Sequence, residues 1–246
     1  MRGLRFSYQP SVTLHAVMGL LDTETFRILK HLLVDSGLLP PDATVADVGA
    51  NVGYYTLWLA KLAVPNGHVY SFEPSQEPCE ILKQNIRVNE IGNVDVVESA
   101  CGDRVGNAHF FIANDHHSSS LNAEWAGSQA REISVPMCTL DHFFAPATQR
   151  GAPEFLKMDI EGGGTLALPG CRRILAEKRP LMLIESHTPA EDGAISKVLV
   201  DLAYRGYRLN NREWIRKPKS VHPDIDGVWG TMLLVPEESA GKVSLN

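Results

Sequence analysis

Hydrophobic positions along the chain switch repeatedly between two periods. Short apolar runs such as ATVADVG (43–49) alternate with stretches whose apolar residues recur at helical spacing. In TETFRILKHLLVDSG (23–37), Phe26, Leu29, Leu32 and Leu33 share one face. That stretch predicts an introductory helix, stopped at Gly37 and followed by Pro40 and Pro41. The pattern then predicts a strand at 43–49, a helix at 53–62, a strand at 68–74, a helix at 75–90 and a strand at 93–100. Between 101 and 150 the regular period is lost, and HFFIA and ISVPM read as a hairpin-like insertion with a loop. EFLKMDI (154–160) predicts a fourth strand, the segment to Lys178 a helix, LMLIES (181–186) a fifth strand and AISKVLVDLAYRG (194–206) another helix. YRLNN and GVWGTMLLVP close as two strands, expected to be antiparallel at the sheet edge. Strands alternating with helices predict an α/β fold around a mostly parallel sheet.

Composition narrows the picture. A chain of 246 residues, 44% hydrophobic, can bury the core of one α/β domain. Its net charge of -6 argues against nucleic acid as a partner, because phosphate contacts demand a basic surface. Cys79, Cys101, Cys138 and Cys171 are widely spaced with no CxxC pair, which predicts packed, reduced thiols in a cytoplasmic protein. Neither a signal peptide nor a membrane-length apolar run is apparent, so no membrane partner is expected. The expected organisation is a single domain over 1–246, with a helical extension at 1–40 and an insertion or lid at 101–150.

The first strand-to-helix turn, VADVGANVGYYT, carries the most chemistry. In an open α/β sheet this turn borders the ligand crevice. Counting from Gly49, a dinucleotide fingerprint would need glycine where Asn51 and Tyr54 stand, and no Gly-Lys-Ser/Thr phosphate loop follows. What remains is Asp47-x-Gly49-x-Asn51-x-Gly53, with an acid at the strand end and residues tolerant of left-handed backbone in the turn. Glu73 ends the second strand, where a carboxylate can accept both ribose hydroxyls. An acidic loop, a ribose-binding acid and no phosphate cradle suit a cationic nucleoside without phosphate, such as S-adenosylmethionine.

These residues resemble the class I S-adenosylmethionine-dependent methyltransferases, and among them the FkbM type, from about Asp42 to Ser186. VADVGANVGYYT is similar to that family's first motif, VYSFEPS to its second, ISVPMCTLDHF to its mid-chain segment, FLKMDIEGGGTLALPG to its Lys-x-Asp-x-Glu-Gly motif and LMLIESH to its fifth strand. The resemblance implies a Rossmann-like class I methyltransferase fold: a mostly parallel seven-stranded sheet with an antiparallel edge strand and helices on both faces. It implies S-adenosylmethionine as cofactor, with Pro74 beside Glu73 in its site. It also implies O-methylation of a small hydroxylated acceptor, a sugar, polyketide or other natural product. The family usually has an acid where this chain has Gly164, so any role of that acid is absent here or supplied from elsewhere. A catalytically silent cofactor-binding partner protein and an N-methyltransferase are the alternatives.

Methyl transfer to an alcohol needs an oxygen held in line with the sulfonium carbon and an acceptor for its proton. Asp159 and Glu161 end the fourth strand, and Glu185 and His187 the fifth; these four are the acid/base candidates, Asp159 foremost. Lys157 could pair with and orient Asp159, or pack its stem at the sheet edge. Tyr54 and Tyr55 offer an aromatic face to a sulfonium, with core packing as the alternative. The adjacent His116 and His117 do not converge on one ion and read as part of a polar lid, so no metal site is expected. Arg212, Arg216, Lys217 and Lys219 around Trp214 read as a charged solvent-facing loop, or as a grip on a phosphorylated acceptor.

Overall fold

The computed structural model describes residues 4–6, 23–113, 118–209, 213–216 and 230–243. Helix α1 (Thr23–Leu29) continues through a wider π-type turn at Lys30–Asp35 and leads into β1 (Thr44–Val48). Then come α2 (Tyr54–Trp58), β2 (His68–Phe72), α3 (Gln76–Val88) and β3 (Val94–Val97). The middle holds β4 (Ala100–Cys101), β5 (Gly106–Ile112), α4 (Ala123–Ala126), β6 (Arg131–Cys138) and α5 (Leu140–Phe143). The last part runs β7 (Phe155–Met158), α6 (Gly164–Ala167), α7 (Arg172–Glu177), β8 (Leu181–Glu185), α8 (Pro189–Asp201), β9 (Tyr204–Arg208), β10 (Glu213–Trp214) and β11 (Thr231–Pro236).

The main sheet has the order β10-β9-β11-β8-β7-β1-β2-β3. Strands β3, β2, β1, β7 and β8 are parallel, so their carboxyl ends share one edge. Strand β11 runs antiparallel to both β8 and β9. The antiparallel strand expected at the edge is therefore internal, and two-residue β10 is the outermost strand on that side. A second sheet, β4-β6-β5, contains the expected hairpin.

Strand alternation sorts the core into two layers. Ala46, Val48, Leu156, Met158, Met182 and Ile184 pack on one face with residues of α6, α7 and α8. Val45, Val69, Phe155, Leu183 and Leu233 pack on the other with α1 and α2. On that second face the register aligns Ser71, Asp47 and Lys157 across three adjacent strands, a polar row inside the core.

Some boundaries differ from expectation. The helix expected at 194–206 spans Pro189–Asp201, because Thr188 caps it by accepting from the Glu191 N–H and Pro189 occupies its first turn. Residues 204–206, expected in that helix, belong to β9. The helix expected before Lys178 is broken into α6, a 3-10 turn at Pro169–Cys171 and α7, as proline requires. Lys157 lies on β7, between β1 and β8, rather than at a sheet edge.

Candidate active site

The turn after β1 is held from three sides. Gly49 and Ala50 both donate N–H to the Phe72 carbonyl at 3.0 Å. Lys157 Nζ donates to the Gly49 carbonyl at 2.8 Å. Gly49 adopts φ 77°, and a Cβ there would stand 1.9 Å from the Asp159 carbonyl oxygen, so only glycine lets the turns after β1 and β7 meet. Asn51 follows with φ 48°.

Beyond the carboxyl ends of the parallel strands lies a cleft lined by Gly49, Asn51, Glu73, Pro74, Asp159 and Glu161, with Phe110 and Leu121 from the middle of the chain on its apolar wall. Glu73 is buried, and its two carboxylate oxygens accept from the Asn51 N–H at 3.0 Å and the Ser75 N–H at 2.9 Å. Burial raises its pKa, against those hydrogen bonds, which act in the opposite direction. The carboxylate is thus fixed between two turns, with the Ser75 hydroxyl as a further donor beside it. Asn51 Oδ1 is buried without a hydrogen-bond partner among the described residues, an acceptor left for a ligand to satisfy.

The other motif residues of the first turn do not line the cleft. Asp47 is fully buried on the opposite face of β1, accepting from Thr56 Oγ1 at 2.6 Å and standing 3.4 Å from Lys157 Nζ. Gly53, at φ 95°, starts α2 where a Cβ would meet Leu82 Cδ1 at 2.4 Å, so it serves the contact with α3. Tyr54 and Tyr55 pack on Phe26 of α1, with ring centroids 5.5 and 4.8 Å apart. Lys157 Nζ lies 5.1 Å from the Tyr55 ring centre and 3.8 Å from Asp159 Oδ2. Burial alone would depress the Lys157 pKa, but the Asp47 and Asp159 carboxylates outweigh it and raise it.

At the β7–β8 end, the acids converge on one histidine. His187 Nε2 lies 3.4 Å from Glu161 Oε2, 3.6 Å from Asp159 Oδ1 and 3.7 Å from Glu185 Oε1. The His187 side chain is 9% exposed, against 30% for Asp159, 24% for Glu161 and 37% for Glu185. Glu161 adopts φ 51° and accepts from Trp125 Nε1 at 2.8 Å, while its backbone carbonyl accepts from Ser120 Oγ. Burial, reinforced by the charge of Asp159, pushes its pKa up to about 8.

The departure at Gly164 has a local counterpart. Glu191 of α8 is buried, and its carboxylate accepts from the Gly164 N–H and the His187 N–H, both at 2.8 Å. A Cβ on Gly164 would stand 2.7 Å from Glu191 Oε1. The Glu191 carboxylate thus fills the space that a side chain at 164 would enter. Neither Glu191 nor Trp125 was singled out from sequence. The run Thr188-Pro189-Ala190-Glu191 carries a capping-box signal that marks Glu191, whereas nothing local marks Trp125.

Of the basic loop, Arg212, Lys217 and Lys219 lie outside the described residues, as do His116 and His117. Trp214 packs edge-on against Tyr207 at 5.4 Å, and the Arg205 guanidinium stacks 4.4 Å from its ring centre. No helix among the described residues is long and apolar enough to cross a membrane.

Residues 47–209 match the methyltransferase FkbM domain. The chain is 23% identical over 153 residues to Methyltransferase 1 of Beauveria bassiana, covering 55% of this chain and 61% of that protein. A shorter stretch of 66 residues is 42% identical to the AMB antimetabolite synthetase AmbE of Pseudomonas aeruginosa, 24% of this chain and 3% of that one. Among solved structures, the methyltransferase FkbM of Methylobacillus flagellatus KT superposes with a TM-score of 0.54 at 21% identity, over 94% of this chain and 56% of that chain. The chain therefore spans less than two thirds of each of these relatives.

Proposed function

Because this chain belongs to the FkbM methyltransferase family, whose cofactor is S-adenosylmethionine, we propose that it transfers a methyl group to a hydroxyl of a small acceptor, a sugar, polyketide or related natural product. The observation that carries this reading is the cleft itself. Glu73, held by two backbone N–H groups, lines it together with Asp159 and Glu161, which face His187.

Bound there, S-adenosylmethionine supplies a methyl group on a sulfonium whose displacement leaves a neutral thioether. Glu73 accepts from the ribose hydroxyls, and Asn51 Oδ1 accepts a further hydrogen bond from the nucleoside or its amino-acid end. The Gly49 turn allows close backbone approach. Asp47, Lys157, Gly53, Tyr54 and Tyr55 act from behind, holding that turn in shape. Asp159 Oδ1, buried without a hydrogen-bond partner among the described residues, and His187 Nε2 face the acceptor's hydroxyl, whose proton leaves by way of the carboxylates gathered there, Glu185 the most exposed of them. Phe110 and Leu121 exclude water, a lid role for part of 101–150. Holding oxygen and methyl carbon about 3–3.5 Å apart and in line supplies about 7–11 kcal/mol of the barrier reduction. The proton-accepting cluster favours oxygen over nitrogen as the acceptor, since a neutral amine attacks with its own lone pair.

Calorimetry with S-adenosylhomocysteine, followed by labelled methyl transfer to a panel of hydroxylated acceptors, tests the reading. Absence of homocysteine-product binding at micromolar concentrations would overturn it. Binding without transfer would favour the silent partner, and product NMR locating the methyl on nitrogen would replace O-transfer with N-transfer.

A further inference from the structure

We propose that Asp159, Glu161 and His187 bind a divalent cation that takes the acceptor's hydroxyl oxygen. Three potential ligand atoms, one from each side chain, lie within 4.8 Å of one another. Ligands held at about 2.0–2.2 Å from one ion stand roughly 3.0–3.6 Å apart when adjacent. The 3.4 and 3.6 Å from His187 Nε2 to Glu161 and Asp159 fall in that range, and both exceed the ~2.7–2.9 Å of a charge-assisted hydrogen bond.

Acidic groups gather on protein surfaces without binding metal, so the histidine decides. Its side chain is 91% buried, being 9% exposed, and Nε2 points into the acids. Its Nδ1 has no hydrogen-bond partner among the described residues and lies 3.8 Å from Glu191 Oε2. That arrangement suits a metal-bound imidazole, whose outer nitrogen faces a carboxylate. Asp159 Oδ1, on the other side of the gap, is also buried without a partner. Trp125 Nε1, bonded to Glu161 Oε2, and the Ser120 hydroxyl, bonded to the Glu161 carbonyl, hold the second carboxylate in place.

Two carboxylates and one imidazole suit manganese or zinc better than magnesium or calcium, which take oxygen ligands alone. In a six-coordinate manganese site three protein ligands leave positions open, enough for a hydroxyl and a neighbouring oxygen of the acceptor. The acceptor class narrows accordingly to vicinal diols and α-hydroxy acids. The step balances: the hydroxyl proton leaves to solvent past the partly exposed Glu185, the oxygen lone pair forms the new C–O bond, and the C–S pair returns to sulfur. This role rests on the O-methyl transfer reading, whereas cation binding does not.

The test is titration of the chelator-treated full chain with Mn2+, followed by electron paramagnetic resonance of the free ion. Saturation at one ion per chain is expected, with affinity at least about tenfold weaker in Glu161→Gln and, independently, in Asp159→Asn. Circular dichroism verifies that each variant is folded. No saturable binding, or binding unchanged in both folded variants, would overturn the proposal. S-adenosylhomocysteine calorimetry on the same sample separates the two readings. Product binding without Mn2+ binding removes the cation site alone, and Mn2+ binding without product binding removes the methyltransferase reading alone.

Discussion

Replacing Lys157 by methionine keeps the stem that packs in the core and removes one charge. Lys157 is buried beside fully buried Asp47, and its ammonium also bonds the Gly49 carbonyl. Without it, Asp47 keeps the Thr56 hydroxyl as donor but loses the cation opposite its other oxygen. Breaking a buried pair from one side costs about 3–5 kcal/mol, because a charge is left uncompensated in a low dielectric. The lost bond to Gly49 overlaps with that figure rather than adding to it. For a chain of this size the loss corresponds to a fall in Tm of about 10 °C. Urea unfolding followed by far-UV circular dichroism measures it. A cycle with Asp47→Asn supplies the control, since the double variant buries no ion. Its loss should be well below the sum of the two single losses. A Lys157→Met loss under about 1 kcal/mol, or strict additivity in the cycle, would refute the buried pair as the support of the Gly49 turn.

Glu73→Gln keeps the size but replaces one carboxylate acceptor by a donor, in a place where two backbone N–H groups already point at it. S-adenosylhomocysteine affinity should fall at least about tenfold by calorimetry, one charged hydrogen bond being worth about 1.5–3 kcal/mol. Gly164→Ala drives a Cβ to 2.7 Å from Glu191 Oε1 and should lower stability by about 1–3 kcal/mol in thermal unfolding. In a Glu191→Ala background the same change should cost less, and equal penalties in both backgrounds would deny the contact. Among the thiols, burial pushes those of Cys101 and Cys171 up, whereas a hydrogen bond from Cys101 brings Cys138 down to about 7. Iodoacetamide should therefore label Cys138 first, at a rate rising with pH and levelling above about 7, as mapped by peptide mass spectrometry.

Element types were legible wherever burial follows a simple period. β1, β7 and β8 are covered on both faces and read as apolar runs, interrupted only by Asp47 in β1 and Lys157 in β7, and α3 shows its buried stripe at Pro78, Cys79, Ile81 and Leu82. What escaped depends on partners distant in sequence. The position of β11 between β8 and β9 is a pairing choice that no local pattern encodes. Trp125 reaches Glu161 from the connection between β5 and β6, where Ser120 bridges back to Phe111. Glu191 was within reach of local reasoning: a helix start set by apolar period alone, at Ala194, cut off its own cap.

The sorting of motif residues into those that line the cleft and those that support it follows from strand geometry. A side chain inside a parallel strand points to one face or the other, and helices cover both faces here. Asp47 and Lys157 lie inside β1 and β7 on the same face, which commits them to the core whatever their charge. The cleft opens beyond the strand ends, so the polar side chains that reach it belong to residues after the last strand position: Asn51, Glu73, Asp159 and Glu161. The one-residue step from Met158 to Asp159 is therefore the step from sheet to site. An acid moved from 159 to 157 would be a buried charge facing Asp47, and a lysine moved from 157 to 159 would carry its charge into the cleft. The alternating Lys-x-Asp-x-Glu spacing thus divides one short segment between a supporting cation below the turn and two carboxylates above it, with Gly49 as the point where the two meet.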